Sequence, residues 1–279
     1  MQIGQASSCF GDKLLLLMKE YNKDCLRNIT LDKAMEINKI HHEDCLIGMA
    51  KLKDESIDCI ITDPPFNSET KMANPFRPDS KAKMSEEEWF IYNNMSARGY
   101  NFWFNNVIKE MYRICKTGSH IYIFTNWRSL RNTMDLMEQN FIVLHDVLTW
   151  DKEHFGVGFK YRPQTEFIIF GSKGKPKDVN SHSNSNLFRL KRVSKPYSLV
   201  QKPVELIDKM VLMSSNEGDL ILDPFMCSGT TALSAQKNNR NFIGFEINKE
   251  NFAESQRRLN VGGLFSNSFQ TELSNEAGT

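Results

Sequence analysis

The chain predicts an α/β fold: a Rossmann-like sheet, mostly parallel with one antiparallel strand, and helices on both faces. Three observations point there. Short apolar runs alternate with amphipathic stretches over about 220 residues, the pattern of a parallel sheet covered on both sides. Two of the most apolar runs, "CIITDPPF" and "LILDPF", stop abruptly at an aspartate followed by proline. Proline lacks the backbone donor a central strand needs, so each run is a strand with a stiff end. A hydrophobic content of 40% with 25% charged residues suits a soluble globular protein, and 279 residues are ample for a sizeable core.

The elements follow in order. Residues 1–37 carry one helical pattern around "DKLLLLMKEY", expected to pack on the body or on a partner chain. "INKIHH" reads as a short strand and "DCLIGMAKL" as a helix. "SIDCIIT" is a buried strand ending at Asp63. Residues 67–99 are polar and turn-rich, with Pro75 and Pro78, and predict a long mobile loop. "YNFWFNNVIKEMYRIC" is an amphipathic helix, "SHIYIFTNW" a strand and "SLRNTMDLMEQN" a helix. "IVLHDVLTWDK" and "RPQTEFIIFGSK" read as a hairpin, which would add an antiparallel strand at the sheet edge. Residues 172–200 form a polar, basic interruption. "KPVELIDKMVLMSS" is a helix with Pro203 near its first turn. "GDLILDPF", "GTTALSAQKNN" and "NFIGFEI" complete a strand, a helix and a strand. Residues 261–279 are rich in Ser, Asn and Gly and are expected to be disordered. One main domain over 38–260 results.

Bulk properties narrow the function. A net charge of +1 gives no global pull toward nucleic acid or membrane. The apolar run Leu14 to Met18 is too short to span a bilayer or to serve as a signal segment, so a cytoplasmic protein without membrane contact is expected. The six cysteines form no C-x-x-C pair and the histidines no H-x₃-H pattern. No metal site is expected, and the thiols should be reduced and mostly buried.

Chemistry concentrates at the two stiff strand ends, where ligands of α/β sheets bind. At the first, Asp63, Pro64, Pro65 and Phe66 hold a carboxylate and an aromatic ring on a rigid elbow. At the second, "LILDPFMCSGTTALSAQKNNRNFIGFEIN" runs from a buried strand through the small residues Cys227, Ser228, Gly229 and Thr230 into a helix, and the next strand ends at Glu246. Small residues let a ligand approach the backbone, and an acid after the second strand can accept two ribose hydroxyls. A dinucleotide fingerprint requires three glycines and a P-loop a lysine after its second glycine; this turn has only Gly229 and no such lysine. A nucleoside without phosphates fits better, S-adenosylmethionine being the common one. A plain strand–turn–helix crossover is the alternative.

Taken together, "DPPF", "QKP" (Gln201 to Pro203), "DPFMCSGTT" and "GFEIN", in this order, resemble the S-adenosylmethionine-dependent DNA amino-methyltransferases of the β group, which modify adenine N6 or cytosine N4. The resemblance spans roughly residues 38–260 and implies a circularly permuted methyltransferase sheet. It implies Asp63, Pro64, Pro65 and Phe66 as catalytic residues. For the cofactor it implies Asp44, Cys45, Asp63, Lys202, Asp223, Phe225, Cys227, Ser228, Gly229, Thr230, Glu246 and Ile247, with Asp44 near the adenine. Two departures stand out: Cys227 occupies a position where the family usually has glycine, and Leu199 and Val200 replace the upstream part of "HPTQKP".

The implied reaction moves a methyl group to the N6 of an adenine flipped out of the duplex, with Asp63 and the Pro64 carbonyl accepting the amine N–H groups and Phe66 stacking on the base. Aspartate at the elbow favours adenine over cytosine. Residues 172–202 hold Lys173, Lys175, Lys177, Arg189, Lys191, Arg192, Lys195 and Lys202 against the single acid Asp178, and they are expected to neutralise phosphates. Lys71, Arg77, Lys81 and Lys83 are available for the same purpose. The expected partners are DNA, with RNA as an alternative, a second copy of the chain, and a cognate restriction nuclease. N4-cytosine or RNA N6-adenine methylation are the competing activities. A catalytically inactive nucleic-acid-binding subunit is the competing reading of another class, favoured only by Cys227.

Overall fold

The computed structural model describes residues 35–65, 96–156, 160–194, 196, 197 and 201–260. The expected N-terminal helix, most of the expected 67–99 loop and the tail lie outside the described residues, as do Phe66, Lys195, Leu199 and Val200. So do Lys71, Arg77, Lys81 and Lys83.

The elements are β1 (Lys39–His41), α1 (Cys45–Ala50), β2 (Ile57–Thr62), α2 (Ala97–Ile114), β3 (Cys115–Thr125), α3 (Leu130–Gln139), β4 (Ile142–Asp151), β5 (Thr165–Lys173), β6 (Leu187–Arg189), α4 (Val204–Ser214), β7 (Leu220–Asp223), α5 (Thr230–Lys237) and β8 (Asn241–Phe245). A final helix, α6, covers 249–260. The strands make one sheet in the order β1-β8-β7-β2-β3-β5-β4-β6. All neighbours pair in parallel except β5, which is antiparallel to both β3 and β4.

The hairpin differs from expectation in one respect. Its antiparallel strand is internal: β5 lies between β3 and β4, and β4 is followed only by the three-residue β6, which falls inside the segment read as an interruption. The side chains explain the order. Ile168 and Ile169 of β5 are adjacent and both fully buried, as an internal strand requires, whereas β4 alternates buried Ile142 with exposed Val143.

Helix formation follows local chemistry. Ser96 accepts a hydrogen bond from Gly99 N at 3.1 Å and starts α2 inside the segment expected to be loop. Tyr100, Trp103, Phe104, Val107, Ile108, Met111 and Ile114 then recur at helical spacing and are all buried. Together with α1 and α3 they cover one face of the sheet. The other face carries α4 and α5, through Leu206, Ile207, Met210, Ala232 and Ala235, and α6 through Phe252 and Leu259. α1 lies so close to β8 that a β-carbon on Gly48 would sit 2.2 Å from the Phe245 ring.

Because β2 lies between β7 and β3, the two Asp-Pro strand ends emerge side by side at the carboxyl edge of the sheet.

Candidate active site

Thr62 Oγ1 donates to Asp223 Oδ1 at 2.8 Å, tying the end of β2 to the end of β7. The elbow that follows is fixed from the other side. Pro64 is buried, and the Tyr100 hydroxyl donates to the Pro65 carbonyl at 2.9 Å. Asp63 thus sits on a backbone held by two elements.

Its carboxylate is half committed. Lys202 donates to Asp63 Oδ2, while Asp63 Oδ1 is buried and accepts no hydrogen bond among the described residues. The Lys202 ammonium also lies 3.5 Å from Glu166 Oε2 and 5.1 Å from the centre of the Phe124 ring. Glu166 Oε1 in turn receives Lys152 Nζ at 2.5 Å. Asp63, Lys202, Glu166 and Lys152 therefore form a row of alternating charge running into the sheet. Burial raises the Asp63 pKa, with Lys202 the main opposing influence. Burial also disfavours the Lys202 charge, but Asp63 and Glu166 outweigh it and its pKa is raised. Burial pushes Glu166 up as well, yet Lys202 and Lys152 bring it below the usual carboxylate range. The buried ammonium between two carboxylates favours their charged forms and opposes the burial that raises Asp63.

Sequence reasoning found Asp63 and Lys202 but missed Glu166 and Lys152. The available signal was an acid in an otherwise apolar strand, "TEFIIF".

The second loop is built as a backbone cradle. Asp223 is consumed by its own scaffold: Oδ1 takes Thr62 and Phe225 N (3.0 Å), and Oδ2 takes Thr231 Oγ1 at 2.7 Å. Burial lifts its pKa to about 6 against these hydrogen bonds. Phe225 packs against Trp103 at 5.6 Å. Cys227 takes the left-handed region at φ 46° and Gly229 does so at φ 83°. A β-carbon on Gly229 would make a tight 3.0 Å contact with Ser255, and the left-handed backbone there also favours glycine. Glu246 Oε2 accepts Cys227 N at 2.8 Å and Oε1 accepts Asn248 N at 2.6 Å. The Asn251 side chain adds a third hydrogen bond to this carboxylate. Burial raises the Glu246 pKa to about 7.

The remaining sequence candidates are placed as follows. The Ser228 hydroxyl faces Arg258 Nη1 (2.8 Å), which also reaches the Ser228 carbonyl (2.5 Å) and Thr230 Oγ1 (3.3 Å). Arg258 is a clamp from α6 that sequence reasoning missed. Asp44 caps α1, accepting from Leu46 N (2.8 Å) and Ile47 N (3.3 Å), and Cys45 behind it is buried. The Ile247 carbonyl bonds to His42 Nε2 at 3.1 Å.

The basic segment divides into two groups rather than forming one surface. β5 runs antiparallel, so the residues after Lys173 arrive at the opposite end of the sheet. There Lys173 donates to the Cys115 carbonyl (2.9 Å) and faces Glu55 (3.3 Å). The Lys177 amide bonds Gly118 (3.0 Å), its ammonium bonds the Asp58 carbonyl (3.1 Å), and the Lys175 carbonyl packs beside Gly118. Arg189, Lys191 and Arg192 lie instead beyond β4, near Asp151 and on the same edge as Asp63.

The residues fit S-adenosylmethionine. Carboxylates, from Asp63, Asp223 and Glu246, surround the turn. That setting disfavours pyrophosphate and suits a cationic sulfonium and a hydroxyl-bearing sugar. A cradle for an adenosyl sulfonium beside a rigid acceptor elbow is the centre of an S-adenosylmethionine-dependent methyltransferase.

The chain belongs to the DNA methylase family of N6/N4 methyltransferases, whose pattern matches residues 57–257. It is an S-adenosylmethionine-dependent DNA methyltransferase. It is 27% identical over 239 residues to the type II methyltransferase M.HpaI of Haemophilus parainfluenzae, covering 76% of this chain and 71% of that protein. It is also 27% identical over 270 residues to the DNA adenine methyltransferase YhdJ of Escherichia coli K12, covering 83% and 85%. The crystal structure of M1.HpyAVI superposes with a TM-score of 0.60 at 29% identity, covering 80% of this chain and 98% of that one. Its complex with S-adenosylmethionine gives 0.57 at 27%, covering 79% and 98%.

Proposed function

We propose that the chain methylates the exocyclic N6 of an adenine extruded from duplex DNA. The observation that carries this reading is Asp63 Oδ1: a buried carboxylate oxygen with no hydrogen bond among the described residues, beside the cofactor cradle. An aromatic amine is a poor nucleophile because its lone pair is delocalised into the ring. Accepting its N–H protons localises that pair and aims it. In this reading Asp63 Oδ1 accepts a hydrogen bond from one amine N–H, and the Pro64 carbonyl is assigned to accept one from the other. Lys202 holds Oδ2, so the free oxygen has one orientation and little reorganisation remains. S-adenosylmethionine supplies the methyl group from its sulfonium. Glu246 is assigned to receive the ribose hydroxyls, and Asp223, Thr231 and Arg258 keep the turn in shape. Phe66 is assigned to stack on the base.

Adenine is supported by the aspartate at the elbow and by the likeness to YhdJ, named a DNA adenine methyltransferase. The type II relatives support a cognate restriction nuclease as a functional partner. Labelled cofactor incubated with random duplex DNA, followed by digestion to nucleosides, is expected to yield N6-methyladenine. Label in N4-methylcytosine alone, or in RNA alone, would displace the proposal. Asp63→Ala is expected to reduce transfer by about 10³-fold or more while cofactor binding measured by calorimetry persists.

A further inference from the structure

The edge of the sheet that holds Asp63 also carries exposed aromatic rings paired with guanidinium groups. β4 and β5 are joined by a loop beyond Asp151 and Thr165, on the side where Glu166 reaches Lys202. In that loop Phe155 is 45% and Tyr161 98% exposed. Phe155 is held in a built stack. The His154 ring lies against it at 5.2 Å, and the Arg162 guanidinium lies 4.0 Å from its centre. Arg162 Nε is fixed by the Gly156 carbonyl at 2.7 Å. Two residues past β3, at the same edge, Trp127 is 64% exposed with Arg128 lying 4.7 Å over its ring. None of these rings belongs to either buried cluster.

The charges are arranged to match. Among the described residues Arg128, Lys160, Arg162, Lys191 and Arg192 have no ion-pair partner. Of the carboxylates nearby, Glu166 is engaged by Lys152 and Lys202 and Asp151 by Gln164, while Glu153 in the same loop is exposed and adds one negative charge to the five cations. Lys173 and Lys177, at the far end, are tied to the protein instead.

We infer that residues 152–156 and 160–164 between β4 and β5, with the turn after β3, form the surface that grips the DNA strand carrying the target base. Arg162, Arg192 and Arg128 meet phosphates, while Phe155, Trp127 and Tyr161 stack on bases flanking the extruded one. The inference rests on the reading of the chain as a DNA-modifying enzyme. Extrusion leaves neighbouring base faces unstacked beside the catalytic elbow, and rings are the sequence-tolerant way to cover them. Guanidinium groups stacked on those rings add cations suited to the backbone. A predominantly positive rim on a nearly neutral protein favours the approach of DNA to this edge.

Anisotropy with a fluorescein-labelled duplex and S-adenosylhomocysteine tests the surface. Replacing Phe155 and Tyr161 together by Ala should weaken DNA binding about tenfold or more. Arg162→Ala and Arg192→Ala should each weaken it and reduce the slope of log affinity against log salt by about one. Lys175→Ala, the same charge change at the far end of the sheet, should alter neither quantity. Calorimetric affinity for S-adenosylhomocysteine should be unchanged in every variant, which separates loss of contact from loss of fold. Rim variants that bind like the parent, or a Lys175→Ala loss as large as theirs, would overturn the surface while the parent still methylates DNA. A parent that neither binds nor methylates DNA would overturn the functional reading as well.

Discussion

The proposed mechanism needs Asp63 buried and ionised, and Lys202 and Glu166 act on it in opposite senses. The Lys202 cation lowers the Asp63 pKa; the Glu166 anion, one position further along the row, raises it. Opposite kinetic signatures follow. Removing the cation with Lys202→Met should move the acid limb of the kcat/KM profile to higher pH, because Asp63 then protonates more readily. Removing the anion with Glu166→Gln should move that limb to lower pH. The same variant should reduce kcat about tenfold, since Lys202 loses one of its two anchors, and should hardly change KM for the cofactor. A merely structural Glu166 would lower the melting temperature and leave the limb in place. The elbow was legible in the sequence because two prolines and an aspartate cannot continue a strand. Its ionic support was not, because Asp63 and Glu166 meet only once β2, β3 and β5 lie side by side.

The loop between β7 and α5 shows the same division between local and long-range information. Its small residues and the acid ending β8 are local signals, and they located the turn. Its bracing depends on partners distant in the chain: Thr62 for Asp223, and Arg258 for Ser228. β6 was missed because three residues in a polar segment have no period to detect. The segment read as one basic interruption divides in two because β5 runs antiparallel and carries Lys173, Lys175 and Lys177 to the far end of the sheet. Cys227 is the departure that matters here, a residue with a β-carbon at φ 46°. The left-handed region costs a side chain about 1–2 kcal/mol, and glycine loses a comparable amount through chain entropy. Cys227→Gly is therefore expected to leave stability in urea within about 1 kcal/mol. It should tighten S-adenosylhomocysteine binding by opening the cradle, whereas Cys227→Val should weaken it. Equal calorimetric affinities across the three side chains would show that the β-carbon faces away from the ligand.

The proposed cofactor site joins distant parts of the chain, since β7 and β8 flank the turn while β1, α1 and β2 carry Asp44 and the elbow. A ligand held there binds the folded chain and not the unfolded one, so it should raise stability by about 2.7 kcal/mol at a hundredfold excess over Kd, or about 5–10 °C in melting temperature. The size of that shift depends on pH through Glu246. Its pKa is about 7, raised by burial, so the apoprotein keeps the proton through a range where the unfolded chain has lost it. The apoprotein accordingly loses stability from this group as pH rises through that range. The ligand has the opposite dependence. With Glu246 as the proposed acceptor of the ribose hydroxyls, binding favours the ionised carboxylate, so below pH 7 it is coupled to proton release and affinity should fall by up to about tenfold per pH unit. Thermal shifts with S-adenosylhomocysteine at fixed concentration should thus be large at pH 8 and small at pH 6. Glu246→Gln should flatten the dependence and lower the shift at pH 8, while Asp63→Ala should preserve it. A shift of equal size at both pH values in the parent would remove Glu246 from the ribose and leave it as the brace that its bonds to Cys227 and Asn248 already describe.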